Sequence, residues 1–372
     1  MFRHLGGHVG LVQRSVALGL LACLALVSAC RRPAPTEEKR GAAERRADKS
    51  DAAIDPSLLA AFAPLPAVMT DERHPLTPAR VQLGRMLYYD TRLSKNHDIA
   101  CNSCHQLDRY GVDNEATSPG HKRARGERNS PSTYNAAGHF RQFWDGRAAD
   151  VEAQAQGPVT NPIEMALASP AAAEAVLRSI PGYQRAFAAA FPDDKAPITF
   201  AHMARAIGAF ERKLVTPGRF DAFLRGKCGA LTAAEKQGLK AFVASGCMAC
   251  HNGPYLGGQS YQKLGNIKPW PNQKDLGRYS VTNDESDKMR FKVPSLRNVA
   301  KTAPYFHDGS VKTLAGAVRK MAWHQLGRKL EESDVRSIVI FLEALTGELP
   351  KKLVQKPALP ASGPRTPKPD PT

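Results

Sequence analysis

The chain carries one arrangement twice: ACNSCHQ at 100–106 and GCMACHN at 246–252, each a cysteine pair with a histidine directly behind the second thiol. Four chemistries use closely spaced cysteines. A zinc ribbon brings its pairs within about 15–20 residues of each other, whereas Cys101 and Cys247 are 146 residues apart. A disulfide suits an exported chain but has no use for a histidine at the fifth position of both motifs. A thioredoxin-like dithiol belongs in a βαβ setting, and this chain has no such pattern. In c-type haem attachment every residue has a role: two thioether links to the porphyrin and a proximal imidazole under the iron. With 7 Cys and 11 His in 372 residues, chance supplies only about 0.004 such motifs per chain, so two are not coincidental. The reading is two covalent haems c, one at Cys101, Cys104 and His105, the other at Cys247, Cys250 and His251.

The chain starts as an export signal does. Arg3 and Arg14 stand near an apolar run of 12 from Val16 to Val27, well short of the about 20 residues that a spanning helix needs. The run ends in LVSAC, which matches a bacterial lipobox with Cys30 as the lipidation site of a periplasmic, membrane-anchored protein; the alternative is ordinary cleavage near Ala29, which leaves Cys30 free. Export with a net charge of +17, or +15 without the two signal arginines, turns the basic surface away from nucleic acid and toward an anionic membrane or an acidic redox partner. Cys228 in RGKCGAL stays outside the haem and lipid assignments.

Helical spacing and helix punctuation dominate the remainder, so the fold class is mostly α with few short strands. Thr77 and Pro78 read as N-cap and first-turn proline before ARVQLGRMLYYD, and Thr232 with Glu235 as a capping box. ITFAHMARAIGAFERKLV (198–215) reads as one long helix, and Ser333 opens DVRSIVIFLEALT. Residues 1–29 form the signal peptide and 30–56, with mixed charge and no large apolar residue before Ile54, a lipid-anchored flexible tether. Two helical haem c domains follow, 57–215 and 216–350. The Lys- and Pro-rich stretch 351–372 reads as a disordered basic tail.

Two haems serve electron transfer alone unless one has an acid–base group beside an open iron. Glu164, between Ile163 and Met165 in NPIEM, is a carboxylate in apolar company, the setting that suits general acid–base work. Gln154 precedes it by ten residues, on a helix read from Ala148.

From Leu58 to Pro350 the chain resembles the bacterial di-haem cytochrome c peroxidases. The resemblance rests on both CxxCH sites and on SPGHK, FWDGR, QAQGP, NPIEM, GCMACHNG, PSLRNVAKTAPYFHDG and MAWHQLG, in order and spacing. It implies that the first haem is peroxidatic with His121 as displaceable distal ligand, and that the second, with Met321 as distal ligand, receives the electrons. It further implies that Glu164 and Gln154 act on peroxide and that Trp144 lies between the haems. Calcium would be held by the Asn129 side chain and the carbonyls of Thr302 and Pro304. A homodimer is the implied assembly, and His307 is placed near a centre rather than on iron. Ligand softness supports the asymmetry: a thioether favours ferrous iron, so the His/Met haem is the better electron acceptor.

The expected activity is reduction of hydrogen peroxide to two waters with two electrons from a small periplasmic donor, a cytochrome c or a cupredoxin. Two rivals are a di-haem oxidase that matures a tryptophan-derived quinone in a partner protein, and a non-catalytic two-haem carrier. The first has a tyrosine where this chain offers Met321. The second has no use for Glu164.

Overall fold

A computed structural model describes residues 54–372. The signal peptide, Cys30 and the tether as far as residue 53 lie outside the described residues. The architecture is mostly helical, with one two-stranded antiparallel sheet among the described residues, β1 (Tyr261–Lys263) on β2 (Arg290–Lys292).

In the first half, α1 (Pro78–Tyr88) starts where Thr77 accepts a bond from the Arg80 amide at 3.2 Å, with Pro78 at the first position. Next come α2 (Pro170–Arg178), α3 (Pro181–Ala190) and α4 (Phe200–Glu211). Leu83, Leu87 and Tyr88 of α1 meet Tyr183, Phe187 and Phe210 in a core closed to solvent. Each such side chain contributes about 1.5–3 kcal/mol by burial. In the second half, α5 (Ala233–Ala244) opens on the capping box, with Thr232 and Glu235 bonded to each other's amides at 3.2 and 2.8 Å. It packs with α6 (Leu314–Leu326) and α7 (Glu332–Ala344). Phe341 is the hub of this core, with the Phe220 and Phe242 rings each 5.4 Å away.

The two halves use one device. A Cβ on Gly84 would lie 1.8 Å from the Ala206 carbonyl oxygen, and one on Gly238 would lie 2.1 Å from that of Ser337. Only glycine therefore lets α1 cross α4, and α5 cross α7, at these distances. In each half the first helix of the crossing pair leads the chain toward its CxxCH motif.

Several elements differ from their sequence expectations. The 198–215 helix stops at Glu211: Arg212, still helical in backbone, holds Glu152 with side-chain bonds of 2.8 and 2.9 Å, and beyond it Leu214 and Thr216 bond to Asn135 instead of continuing the helix. The last long helix begins at Glu332, before Ser333. The helix read from Ala148 is a single turn, Val151–Gln154, capped by Asp150 and followed by a second short turn, Gln156–Thr160.

The domain limits shift at both ends. Ile54 and Phe62 belong to the second core, not to a tether or to the first domain, and the Phe62 ring meets Phe220 at 5.7 Å. Residues 351–372 are not a disordered tail. Leu353 and Val354 pack on the first core. Tyr89 donates to the Val354 carbonyl, Arg85 to that of Gln355 and Arg92 to Ser362 Oγ. Composition misleads here because prolines hold an extended chain without needing backbone donors, so two apolar anchors and a row of side-chain donors suffice. No helix among the described residues is long and apolar enough to cross a membrane.

Candidate active site

Cys101–Cys104 forms a single helical turn. The His105 amide donates to the Cys101 carbonyl at 2.9 Å, and Tyr88, buried in α1, donates its hydroxyl to the His105 carbonyl at 2.9 Å. The core thereby fixes the backbone under the imidazole. Cys101 and Cys104 carry free thiols, and burial pushes them up to about 12 and about 11, with the Glu164 charge adding to the rise in both. Such thiols are poor metal-binding or redox thiolates. The Cys and His of the two motifs, moreover, do not assemble into a shared metal-ligand cluster among the described residues.

Glu164, whose charge reaches both thiols, is joined to His121. The His121 amide donates to the Glu164 carbonyl at 2.8 Å. The approach depends on Gly120, whose Cβ would lie 1.9 Å from the Ile163 carbonyl oxygen. His121 is buried, and its Nε2 has no hydrogen-bond partner. A buried, unpaired imidazole nitrogen costs free energy unless a further group takes its lone pair, which suits a ligand to iron. Burial raises the Glu164 carboxyl above its ordinary range, against the opposing effects of Arg147 and of the Asn161 amide, which donates to it at 2.8 Å. Asn161 ends the turn that follows Gln154, so both expected peroxide-handling residues lie on one short stretch. The Glu152–Arg212 pair ties that stretch to α4.

The second motif lines one cavity. Cys247, Cys250, His251 and Met321 face it, as do Trp144 and Asn129 from the first half. His251 Nδ1 lies 3.0 Å from the Leu256 carbonyl, an arrangement that sets the tautomer and frees Nε2 for a metal. Met321 comes from α6. A ligand histidine and a thioether on one cavity, with two cysteines beside them, fit a covalent haem with His/Met ligation.

Trp144 joins the two halves. Its Nε1 donates to the Asn129 carbonyl at 2.9 Å, and its own carbonyl accepts from the Lys292 amide at 2.7 Å. The Asn129 amide receives nothing from Trp144's ring; it donates to the His307 carbonyl at 2.7 Å, and its side-chain nitrogen donates to the Glu115 carbonyl at 2.9 Å. Asn129 Oδ1 is left as the acceptor of that side chain. Thr302 and Pro304 line the same cavity.

Sequence reasoning missed Lys292 and His139. Lys292 is buried, its Nζ donates to the Arg141 carbonyl at 3.0 Å, and burial pulls its ammonium down to about 8. His139 Nδ1 is 3.4 Å from that ammonium, and its Nε2 is buried without a partner. Both line the second cavity. A lysine in a short strand reads as a solvated residue, and nothing local marks it otherwise.

The profile of the family described as di-haem cytochrome c peroxidase matches residues 78–228. The chain is 47% identical over 317 residues to cytochrome c551 peroxidase of Pseudomonas aeruginosa, covering 83% of this chain and 90% of that protein. It is 46% identical to cytochrome c551 peroxidase of Nitrosomonas europaea, covering 78% and 86%. Among solved structures, a MauG-like protein associated with microbial copper homeostasis superposes with a TM-score of 0.69 at 30% identity, covering 82% of this chain and 97% of that one. A mostly helical chain with two CxxCH motifs and relatives that are haem peroxidases belongs to a class, the haem oxidoreductases. Within that class, the chain belongs to the di-haem cytochrome c peroxidase family, oxidoreductases acting on peroxide.

Proposed function

We propose that the chain carries two covalent haems c and reduces hydrogen peroxide to two waters, taking two electrons from a small redox protein and two protons. The observation that supports it best is the 2.8 Å backbone bond between His121, with its buried and unpartnered imidazole nitrogen, and Glu164, a partly buried acid close enough to Cys101 and Cys104 for its charge to act on both. A haem held by Cys101, Cys104 and His105 would supply electrons and an iron for binding peroxide. Glu164, held by Asn161, moves a proton from the near to the far peroxide oxygen so that the leaving oxygen departs as water. Gln154 holds the peroxide by hydrogen bonding. His105 and His121 are the ligands of the first iron, His251 and Met321 those of the second. Trp144 lies on the path between them.

Calcium at Asn129 Oδ1 and the Thr302 and Pro304 carbonyls belongs to this reading, supported by their place on one cavity and by the oxygen donors that calcium prefers. So do a periplasmic location, a lipid anchor at Cys30 and a homodimer, which rest on the sequence and the family resemblance. The donor is a cytochrome c or a cupredoxin. Met321, where the quinone-maturing oxidases have tyrosine, favours the peroxidase. Two measurements test the reading. Alkaline pyridine haemochrome of the purified protein should give two haems c that acid acetone does not extract, and the half-reduced protein should turn over peroxide rapidly. One haem, extractable haem or slow turnover would sink it.

A further inference from the structure

The segment 351–372 has no part in the reading above, yet it is bound along the first half to its last residue. After Leu353 and Val354 it passes Pro360, which lies against Gly182, and Thr366, whose Oγ1 is 2.9 Å from Ser179 Oγ. It ends at Lys95. The Asp370 amide donates to the Lys95 carbonyl at 3.0 Å, and the Asp370 carboxylate is 3.5 Å from Lys95 Nζ.

Lys95 is a junction. Its own amide donates to the Met165 carbonyl at 2.8 Å, next to Glu164. Its neighbour Ser94 accepts from the Asp98 and Ile99 amides at 3.2 and 3.1 Å, shaping the loop that enters Cys101. Backbone bonds thus run from Asp370 to Lys95 to the Glu164 turn, and from that turn to His121. An open cleft of about 390 Å³ is lined by His121 together with Asn96, Asp98, Ile99 and Pro371.

The His121 turn is strained. Lys122 and Arg123 are both left-handed, at φ 54° and 61°, a conformation that non-glycine residues adopt only when surroundings enforce it. The turn is closed by its own bonds, from the Ala124 amide to the His121 carbonyl at 3.0 Å and from the Gly120 amide to the Ala124 carbonyl at 2.8 Å, and it is seated by the Gly120–Ile163 approach and the His121–Glu164 bond, both on the turn that Lys95 anchors.

We propose that the segment 351–372 is a strap that positions the reactive side of the first centre: through Lys95 it holds the Glu164 turn, and with it the strained His121 turn, in the closed arrangement. Releasing the strap frees the His121 turn to move. The proposal rests on the reading that His121 closes the first iron, and the test separates the two.

The protein with both haems bound, fully oxidised, is mixed with cyanide, and the rate of ligand binding at the first haem is followed together with its low-spin electron paramagnetic resonance signal. Three forms are compared: the unaltered chain, a chain lacking residues 369–372, and Asp370→Lys, which keeps the whole strap but places two cations together. The unaltered chain should bind slowly. Loss of the Asp370–Lys95 backbone bond, the half-exposed ion pair and the 3.5 Å contact from Lys95 Nζ to Thr372 Oγ1 should speed binding by roughly threefold to tenfold in the shortened chain, and by less in Asp370→Lys. Haem content and the second haem's potential should not change. If the unaltered oxidised chain binds cyanide rapidly, His121 does not close the centre and the underlying reading falls, taking the strap with it. If it binds slowly and both altered forms bind equally slowly, the strap alone is overturned. A lower melting temperature with unchanged cyanide access also overturns it, since that is what a purely structural segment would give.

Discussion

The His121 amide donates to the carbonyl oxygen of Glu164 at 2.8 Å, so the expected gate and the expected acid share a peptide-to-peptide bond although 43 residues separate them in the chain. The bond uses backbone atoms only, which leaves the imidazole and the carboxyl group free for chemistry. Glu164→Gln preserves this geometry and the Asn161 contact in shape but cannot carry a proton. Both haems and their reduction should survive, while peroxide turnover falls by roughly 10²–10⁴-fold. Steady-state turnover with a reduced donor is the measurement, and a variant as fast as the unaltered protein would remove Glu164 from the mechanism.

His121→Ala acts on the other partner. Removing the imidazole while keeping its amide leaves the Glu164 turn bonded but empties the distal position of the first haem. Peroxide or cyanide should then bind the fully oxidised protein with no electron added. For the unaltered protein, nearly complete opening on reduction requires a preference of about 5.5 kcal/mol for the open state. If the variant still needs prior reduction, the gate is a different group.

Met321→His replaces the thioether on the second cavity by an imidazole. Softness favours ferrous iron, so the second haem's potential should fall by an appreciable part of the ~0.8 V range that axial ligands span. The first added electron should then no longer go mainly to that haem. A spectroelectrochemical titration that finds the second potential unmoved would show that Met321 packs beside the haem without binding it.

How much of this was legible depends on how local each feature is. The CxxCH pattern is written in consecutive residues, so Cys101–His105 and Cys247–His251 stand out in the sequence alone. Helix caps such as Thr77 and the Thr232–Glu235 box are also decided within four residues. The helix read to 215 ends at Glu211 because Leu214 and Thr216 bond through their backbones to Asn135, which is distant in the sequence: the Leu214 carbonyl accepts at 2.9 Å and the Thr216 amide donates at 3.1 Å. Lys292 was illegible for the same kind of reason: its burial comes from a cavity assembled by both halves. The segment 351–372 misled composition outright, since its order depends on donors supplied by Arg85, Tyr89 and Arg92.

A last prediction concerns stability rather than catalysis. Glu211, at the end of α4, is buried, and burial together with the neighbouring Glu152 charge pushes its carboxyl up to about 8, while Arg212, the cation that would oppose this, is held by Glu152 in two bonds of 2.8 and 2.9 Å. In the unfolded chain the same group titrates near 4.3. Between these values the unfolded chain gives up a proton that the folded one keeps, so stability falls as pH rises through this window, with a slope approaching about 1.4 kcal/mol per pH unit for one proton. Below the unfolded value both states are protonated and Glu211 contributes no slope. Glu211→Gln keeps the shape and removes the titration. The variant should gain on the unaltered protein as pH rises from about 5 to 8, with the two converging at the acid end. Denaturant midpoints followed by far-ultraviolet circular dichroism at several pH values give the comparison. Parallel profiles across that window would mean that Glu211 is already ionised in the folded protein, and that a cation or a hydrogen bond compensates its burial.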